Sequence, residues 1–264
     1  MVLLRSALFN FFFYFYIVVA LFAYIPAFFL PRKVGWPLIV FWARASLWML
    51  RVIAGVRIEV RGRQNIPDGG FIVAAKHQSV WETFALLTLF PDPTFILKRE
   101  LTWLPIFGWY TMKMKMIPVN RGKRSAALRA MTVDARAAVQ DGRQILIFPE
   151  GTRRPAGAEP SYKFGIVHLY RELKCPVLPV ALNSGLFWPR RTFKRYPGTV
   201  VIDILPPIAP GLIGEEFVAS LQKALESATD SLLLEAAQAK TPPPGAREIA
   251  AAILARREGQ EAHG

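Results

Sequence analysis

A histidine and a glutamate five positions apart, His77 and Glu82, are the residues of this sequence best suited to proton transfer. A neutral imidazole accepts a proton from a hydroxyl group when a carboxylate binds its other ring nitrogen, fixes the tautomer and stabilises the imidazolium. One turn of loop or helix brings two residues at this spacing together. The same spacing is equally typical of a structural histidine beside an unrelated glutamate, so the assignment depends on neighbouring groups.

Two basic loops supply groups suited to a phosphate. The segment 148–154 places Glu150 and Arg153 around a tight proline–glycine turn, which exposes backbone N–H groups. Residues 117–124 end in a second basic loop that contains Arg121. A guanidinium pairs bidentately with phosphate oxygens, although a single arginine such as Arg121 is as often a solvated surface charge. Together with His77, these loops predict a site for an alcohol that carries a phosphate.

These polar segments directly follow short apolar runs that predict buried strands. We predict strands at 71–75, 94–97, 116–119, 144–148, 177–182 and 199–204, an edge or half-buried strand at 56–60, and helices at 125–139 and 215–238. Strands that alternate with helices predict an α/β fold with a mostly parallel sheet flanked by helices. The carboxyl ends of parallel strands form the usual ligand crevice, so His77 and the two basic loops are expected to meet at one edge of the sheet.

The first 54 residues predict an apolar helical pair that docks on a membrane. Residues 7–31 form a run without a charged residue. As a helix, a run of this length can span a hydrocarbon core of about 30 Å. Residues 36–54 carry Arg44 and Arg51 on one helical face, which indicates an amphipathic helix. A true span and a pair that dips into one leaflet both fit this pattern. We favour the shallow pair because the rest of the chain is typical of a cytoplasmic enzyme.

Composition supports a membrane surface as the partner. The 264 residues suffice for one α/β domain with a buried core, and 53% of them are hydrophobic although the formal net charge is +14. Apolar surface partitions into lipid while lysine and arginine are attracted to anionic headgroups. A nucleic-acid-binding protein would explain the charge but not the apolar excess.

Several other residues have structural interpretations beside functional ones. The single cysteine, Cys175, excludes an intrachain disulfide and is expected to be a small core residue rather than a catalytic thiol. His168 lies in a helix-like stretch and is expected to be a core histidine. An aromatic stripe is interpreted as the lining of an acyl tunnel, an interfacial belt or simply core, and consists of Trp103, Phe107, Trp109 and Tyr110.

The ordered motifs resemble those of the glycerolipid acyltransferase superfamily, and within it most resemble the 1-acyl-sn-glycerol-3-phosphate acyltransferases. The motifs that carry the resemblance are His77 with Glu82, then residues 119–121, 148–153 and 177–180. The resemblance covers residues 55–204 and predicts an acyltransferase domain at 55–238. The helical pair would then occupy residues 1–54, and residues 239–264 would form a peripheral tail.

The resemblance implies a reaction and a set of roles. His77, oriented by Glu82, would deprotonate the free hydroxyl of 1-acyl-sn-glycerol-3-phosphate, which attacks the thioester of acyl-CoA or acyl-carrier protein and gives phosphatidic acid for phospholipid synthesis. Neither a cofactor nor a metal is implied. The enzyme would act at the cytoplasmic side of the cell inner membrane. The residues expected to bind substrate are Arg121, Glu150, Gly151, Thr152, Arg153 and Lys98.

Two departures from the family pattern leave the acceptor open. Glu82 stands where the family usually has aspartate, and Lys76 stands where it commonly has asparagine. The alternatives are an acyltransferase for another lyso-lipid such as lyso-ornithine lipid, a transacylase that needs no thioester, and a non-catalytic membrane-surface binding protein.

Overall fold

The computed structural model describes residues 1–120 and 124–261, which form one sheet covered by helices on both faces. The seven strands are β1 (Val56–Arg61), β2 (Phe71–Ala75), β3 (Pro93–Lys98), β4 (Ile117–Val119), β5 (Gln144–Ile147), β6 (Val177–Leu182) and β7 (Gly198–Ile204). Their order across the sheet is β1-β7-β6-β2-β5-β3-β4. β2 to β6 are parallel to one another, whereas β1 and β7 run the other way, because β6 and β7 pair antiparallel. The predicted α/β fold with a mostly parallel sheet is confirmed.

Nine α-helices connect and cover these strands in the described part of the chain. They are α1 (Val2–Ala23), α2 (Arg32–Met49), α3 (Glu82–Ala85), α4 (Phe107–Lys113), α5 (Arg124–Gln140), α6 (Gly165–Leu173), α7 (Ser184–Phe187), α8 (Gly214–Ala237) and α9 (Ala246–Glu261). A π-helical turn, Leu50–Ala54, extends α2, and a 3₁₀ helix, Arg99–Trp103, follows β3.

The central strands are apolar on both faces because helices bury both sides of the sheet. In β2, Phe71 and Val73 face a core shared with α1 and α2, whereas Ile72 and Ala74 face a second core shared with α5, α6 and α8. All five residues of β2 are buried. The loops that follow β2 and β5 therefore begin at the same edge of the sheet, and each follows a strand that is buried on both faces.

The helix α1 lies along the surface of the α/β domain. Ser6 accepts a hydrogen bond from the backbone N–H of Arg195 at 2.8 Å, and the side chain of Asn10 donates to the carbonyl of Phe193 at 2.9 Å. Near the other end of α1, the carbonyl of Leu21 accepts a hydrogen bond from the Tyr110 hydroxyl at 3.0 Å. Contacts at both ends hold α1 against the domain along most of its length.

The opposite face of the helical pair is exposed and apolar. By length and composition, α1 and the helix Arg32–Ala54 could each cross a membrane. The exposed side chains of this face include Phe11, Phe15, Phe22, Phe41 and Trp48. One face of each helix is thus buried on protein and the other is suited to lipid.

Residues 246–261 of the segment predicted as a peripheral tail form α9. This helix contacts α8, and its residues Ala246 and Ile253 are buried in the same core as α1 and α2. Its apolar side therefore contributes to the packing of the domain.

Candidate active site

A fully buried carboxylate fixes the histidine at the end of β2. Glu82 begins α3 and has no solvent-exposed surface. Its Oε1 atom lies 2.9 Å from Nδ1 of His77 and accepts backbone N–H groups from Gln78 at 2.8 Å and Ser79 at 2.7 Å. Its Oε2 atom accepts the hydroxyl of Ser184 at 2.8 Å. These donors stabilise the carboxylate form, as a buried charge requires.

This arrangement decides which nitrogen of His77 can act as a base. Because Oε1 of Glu82 is an acceptor, the neutral imidazole of His77 carries its proton on Nδ1 and its lone pair on Nε2. The imidazole ring stacks on Phe148, with ring centroids 3.9 Å apart and an angle of 10° between the planes. The ring is therefore held from its edge and from its face, and Nε2 remains as the acceptor.

The loop after β5 is joined to His77 through its backbone. A tight turn brings the N–H of Gly151 to the carbonyl of Phe148 at 2.9 Å, and Gly151 adopts a φ of +67°, which favours glycine. The backbone N–H of Arg154 donates to the carbonyl of His77 at 2.8 Å. The backbone N–H of His77 donates to Oε2 of Glu150 at 3.0 Å. The predicted base and the first predicted basic loop thus share one site.

Three other predicted substrate-binding residues, Thr152, Arg153 and Lys98, lie around this edge. Arg153 is half-buried, Thr152 is exposed, and Nη1 of Arg190 donates to the carbonyl of Arg153 at 2.6 Å. Lys98 is exposed at the carboxyl end of β3, the strand that pairs with β5. Arg121 lies outside the described residues.

Comparison with known proteins places this site in a family. A family model described as Acyltransferase matches residues 57–183. A 1-acyl-sn-glycerol-3-phosphate acyltransferase of Pseudomonas aeruginosa is 37% identical over 194 residues, which are 74% of this chain and 76% of the relative. The chain belongs to the acyltransferase family. A 1-acyl-sn-glycerol-3-phosphate acyltransferase of Saccharomyces cerevisiae is 28% identical over 220 residues, 79% of this chain and 72% of that protein.

A solved structure extends the likeness to nearly the whole acyltransferase. The crystal structure of the 1-acyl-sn-glycerophosphate acyltransferase PlsC from Thermotoga maritima matches with a TM-score of 0.72 and 26% sequence identity. The match covers 88% of this chain and 99% of that one. The family model begins in β1 and ends at Asn183, so α1 and α2 lie before it and α7, β7, α8 and α9 lie after it.

A partly buried charge network lies behind the loop that carries His77. Nζ of Lys76 donates to Oε1 of Glu150 at 2.8 Å and to Oε1 of Glu226, on α8, at 2.9 Å. The hydroxyl of Tyr162 donates to the same Glu226 oxygen at 2.8 Å. Burial, and then the nearby charge of Glu226, raise the pKa of Tyr162, which keeps its hydroxyl protonated as a donor.

The network binds both side-chain oxygens of Glu150, one of the residues expected to bind substrate. Its side chain is 1% exposed, and the two oxygens are bonded to Lys76 and to the backbone N–H of His77. Glu150 therefore positions the loop that carries Gly151 and Arg153.

Ser184 and Gln78 are site residues that the sequence did not reveal. Ser184 follows β6 and is fully buried against Glu82, and Oε1 of Gln78 accepts the backbone N–H of Gly185 at 3.0 Å. A Cβ on Gly185 would lie 3.0 Å from Cβ of Gln78, so a glycine permits this approach. These contacts join the end of β6 to the histidine loop across more than 100 residues, which leaves no local spacing to detect.

His168 and Cys175 lie away from this site. Nε2 of His168 lies 2.9 Å from Oγ1 of Thr132, between α6 and α5. Cys175 is buried before β6, and burial raises the pKa of its thiol to about 11. Cys175 is the small core residue expected, whereas His168 is half-buried with Thr132 as its partner.

Proposed function

We propose that this acyltransferase transfers a fatty acyl chain from the thioester of acyl-CoA or acyl-carrier protein to the free hydroxyl of 1-acyl-sn-glycerol-3-phosphate. The product is phosphatidic acid, an intermediate of phospholipid synthesis. The observation that carries this proposal is the fully buried Glu82, which binds Nδ1 of His77 and leaves Nε2 as a base beside an arginine-bearing loop. The names of the relatives support this choice of acceptor.

The chemistry follows from the tautomer of His77. Nε2 removes the proton of the acceptor hydroxyl while the oxygen attacks the thioester carbonyl. The tetrahedral intermediate collapses, the C–S bond breaks, and the imidazolium returns its proton to the leaving thiolate. The carboxylate of Glu82 stabilises the imidazolium between these two steps, because it lies 2.9 Å from Nδ1 and is shielded from water.

The phosphate of the acceptor is assigned to the basic groups at the same sheet edge. Arg153 lies on the loop bonded to His77, and Lys98 lies at the carboxyl end of β3. Arg121 follows β4 by two residues in the sequence and completes the proposed set. Gly151 and Thr152 shape the acceptor site through the backbone of the turn. Guanidinium groups suit the phosphate because they donate two parallel hydrogen bonds.

We assign the enzyme to the cell inner membrane, with the active site on the cytoplasmic side where thioester donors occur. Residues 1–54 would serve as a one-leaflet anchor for the domain at 55–238. Support for shallow insertion comes from α1, which is hydrogen-bonded to the domain at Ser6 and Asn10 near one end and at Leu21 near the other. A helix held this way lies against the enzyme.

Product analysis by mass spectrometry tests the proposal. Purified enzyme would be given a matrix of donors, acyl-CoA and acyl-carrier protein, against acceptors that include 1-acyl-sn-glycerol-3-phosphate and lyso-ornithine lipid. We expect phosphatidic acid from thioester donors only. Preferential acylation of lyso-ornithine lipid would contradict the proposed acceptor. Formation of product without any thioester donor would indicate a transacylase.

A pair of histidine variants tests the catalytic assignment. His77→Ala should abolish turnover and keep membrane association. His168→Ala, which removes an imidazole that pairs with Thr132 and not with Glu82, should retain turnover. Retained turnover in His77→Ala would remove His77 as the general base.

A further inference from the structure

Six exposed apolar side chains beside the active-site edge form a surface that we call the aromatic patch. They lie on and between the 3₁₀ helix Arg99–Trp103 and α4, and each is between 37% and 69% exposed. The patch consists of Leu101, Trp103, Leu104, Phe107, Trp109 and Met112. Exposed apolar surface of this kind marks an interaction site. Three residues of the aromatic stripe, Trp103, Phe107 and Trp109, are therefore not core, whereas Tyr110 is half-buried.

The backbone beneath the patch is rigid and unusual. The N–H of Phe107 donates to the carbonyl of Pro105 at 2.6 Å around Ile106, whose φ of +62° is rare for a β-branched residue. Gly108 lies so close to the 3₁₀ helix that a Cβ there would be 2.0 Å from the carbonyl of Thr102. This turn holds the patch outward from the domain, and strained backbone of this kind is concentrated at functional sites.

The patch adjoins the turn of the helical pair. Nζ of Lys113 donates to the carbonyl of Phe28 at 2.8 Å, and the rings of Phe28 and Tyr110 lie 4.6 Å apart. The next residue, Phe29, is 88% exposed. The ring of Phe28 also lies 6.5 Å from that of Trp109, so the aromatic patch adjoins the segment that connects α1 and α2.

The patch also adjoins the active-site edge and carries mainly positive charge. Its 3₁₀ helix begins directly after Lys98, which is assigned to the acceptor phosphate. Exposed Lys98, Arg99 and Lys115 outnumber Glu100 in this segment. Tryptophan beside basic residues is the composition that partitions into the interfacial region of an anionic bilayer.

We propose that the aromatic patch is a second membrane-contacting surface, occupied by the interfacial region of a bilayer that contains anionic phospholipid. The helical pair and the patch then place the rim of the active site on the lipid, and the acceptor enters from the membrane plane beside Trp103. The route of the acceptor rests on the proposed function, whereas the contact with the bilayer does not.

Site-directed fluorescence tests the contact in the full-length enzyme. A Cys175→Ala background would receive one new cysteine labelled with a polarity-sensitive fluorophore at Trp103, at Phe15 on the exposed face of α1, or at Val133. Val133 is exposed on α5, across the sheet from α1. Each protein would be inserted at one copy per nanodisc of phosphatidylethanolamine and phosphatidylglycerol, so that a second copy cannot cover the label.

We expect a blue shift and quenching by spin-labelled lipid at positions 15 and 103, and neither at position 133. A label at 103 that behaves like the label at 133, while the label at 15 is quenched, would overturn the proposal. A blue shift at 103 without quenching by lipid would also overturn it, because protein would then cover the patch.

A kinetic comparison tests the consequence for substrate entry. Trp103→Ser combined with Trp109→Ser should raise the apparent KM for acceptor in vesicles several-fold and leave the KM for a short-chain, water-soluble acceptor unchanged. Val133→Ser removes an equally exposed apolar side chain and should change neither value. Equal changes for both acceptors would contradict entry through the patch. A wild-type enzyme inactive on 1-acyl-sn-glycerol-3-phosphate would remove the proposed function and leave the fluorescence result standing.

Discussion

Lys76 and Glu226 are 150 residues apart in sequence, yet the ammonium of one lies 2.9 Å from the carboxylate of the other. Lys76 immediately precedes His77, the proposed general base, and Glu226 lies on α8, outside the residues that the family model matches. Since Lys76 also binds Glu150, and Glu150 binds the backbone of His77, α8 is connected to the catalytic loop through three consecutive hydrogen bonds. Through Lys76, α8 therefore supports the loop that carries His77.

We expect Lys76→Met to destabilise the enzyme strongly, by about 3–5 kcal/mol, because it leaves the buried Glu150 and the half-buried Glu226 without their cation. The double variant Lys76→Met with Glu226→Gln removes one negative charge as well and should recover part of that loss. Thermal unfolding of the four proteins in detergent gives the coupling energy between the two sites.

Additive effects of the two substitutions would contradict a direct coupling. Glu226→Gln alone serves as the control, since the amide oxygen can still accept from Lys76 and Tyr162. Its kcat should stay near that of the wild type.

The series Glu82→Asp, Glu82→Gln and Glu82→Ala tests the charge and the reach of the carboxylate separately. Aspartate keeps the charge but shortens the side chain, and a misplacement of this size costs about 100-fold in kcat. Glutamine keeps the shape but loses the charge that stabilises the imidazolium, and a loss on the order of 10⁴-fold is expected. Steady-state kinetics on each purified variant provides the measurement.

The KM for the acceptor should change little in this series, because Glu82 is buried and does not reach the lipid phosphate. Equal kcat values for the aspartate and alanine variants would mean that Glu82 does not orient His77.

The sequence predicted those features that depend on local pattern. Strands β2 and β6 begin and end at the predicted residues, because each is an unbroken apolar run buried on both faces. The pair His77 and Glu82 was also predictable, since five residues of loop bring them together. Lys76 with Glu226 depends on how α8 packs on the sheet, and no spacing within either segment encodes that contact.

Alanine substitutions at two glycines test how closely the ends of β1 and β7 approach each other. Gly62 has a φ of +71°, and a Cβ there would lie 1.9 Å from the carbonyl of Ile204. Gly142 has a similar φ of +74° but open space around it. Gly142→Ala should cost about 1–2 kcal/mol through its backbone conformation alone. Gly62→Ala should cost about 1–3 kcal/mol more, because the strand ends must separate.

Thermal unfolding measures the stability loss of both glycine variants. In a chain of this size, each kcal/mol of lost stability lowers Tm by roughly 2–4 °C. Equal Tm losses would show that Ile204 moves away from the added methyl group without cost.

The buried thiol of Cys175 gives a prediction about pH. Burial raises its pKa from 9.0 to about 11, so near pH 8 only about one thiol in a thousand is ionised in the folded enzyme. We expect N-ethylmaleimide to leave activity unchanged and to label Cys175 only after unfolding.

Because the raised pKa favours the neutral thiol in the folded state, the contribution of Cys175 to stability is complete below pH 9.0 and is lost as pH rises through about 11. The Tm difference between wild type and Cys175→Ala should therefore shift in favour of the alanine variant across that interval. A constant difference would show that the thiol ionises alike in the folded and unfolded chains, and rapid labelling of the folded enzyme would place it at the surface.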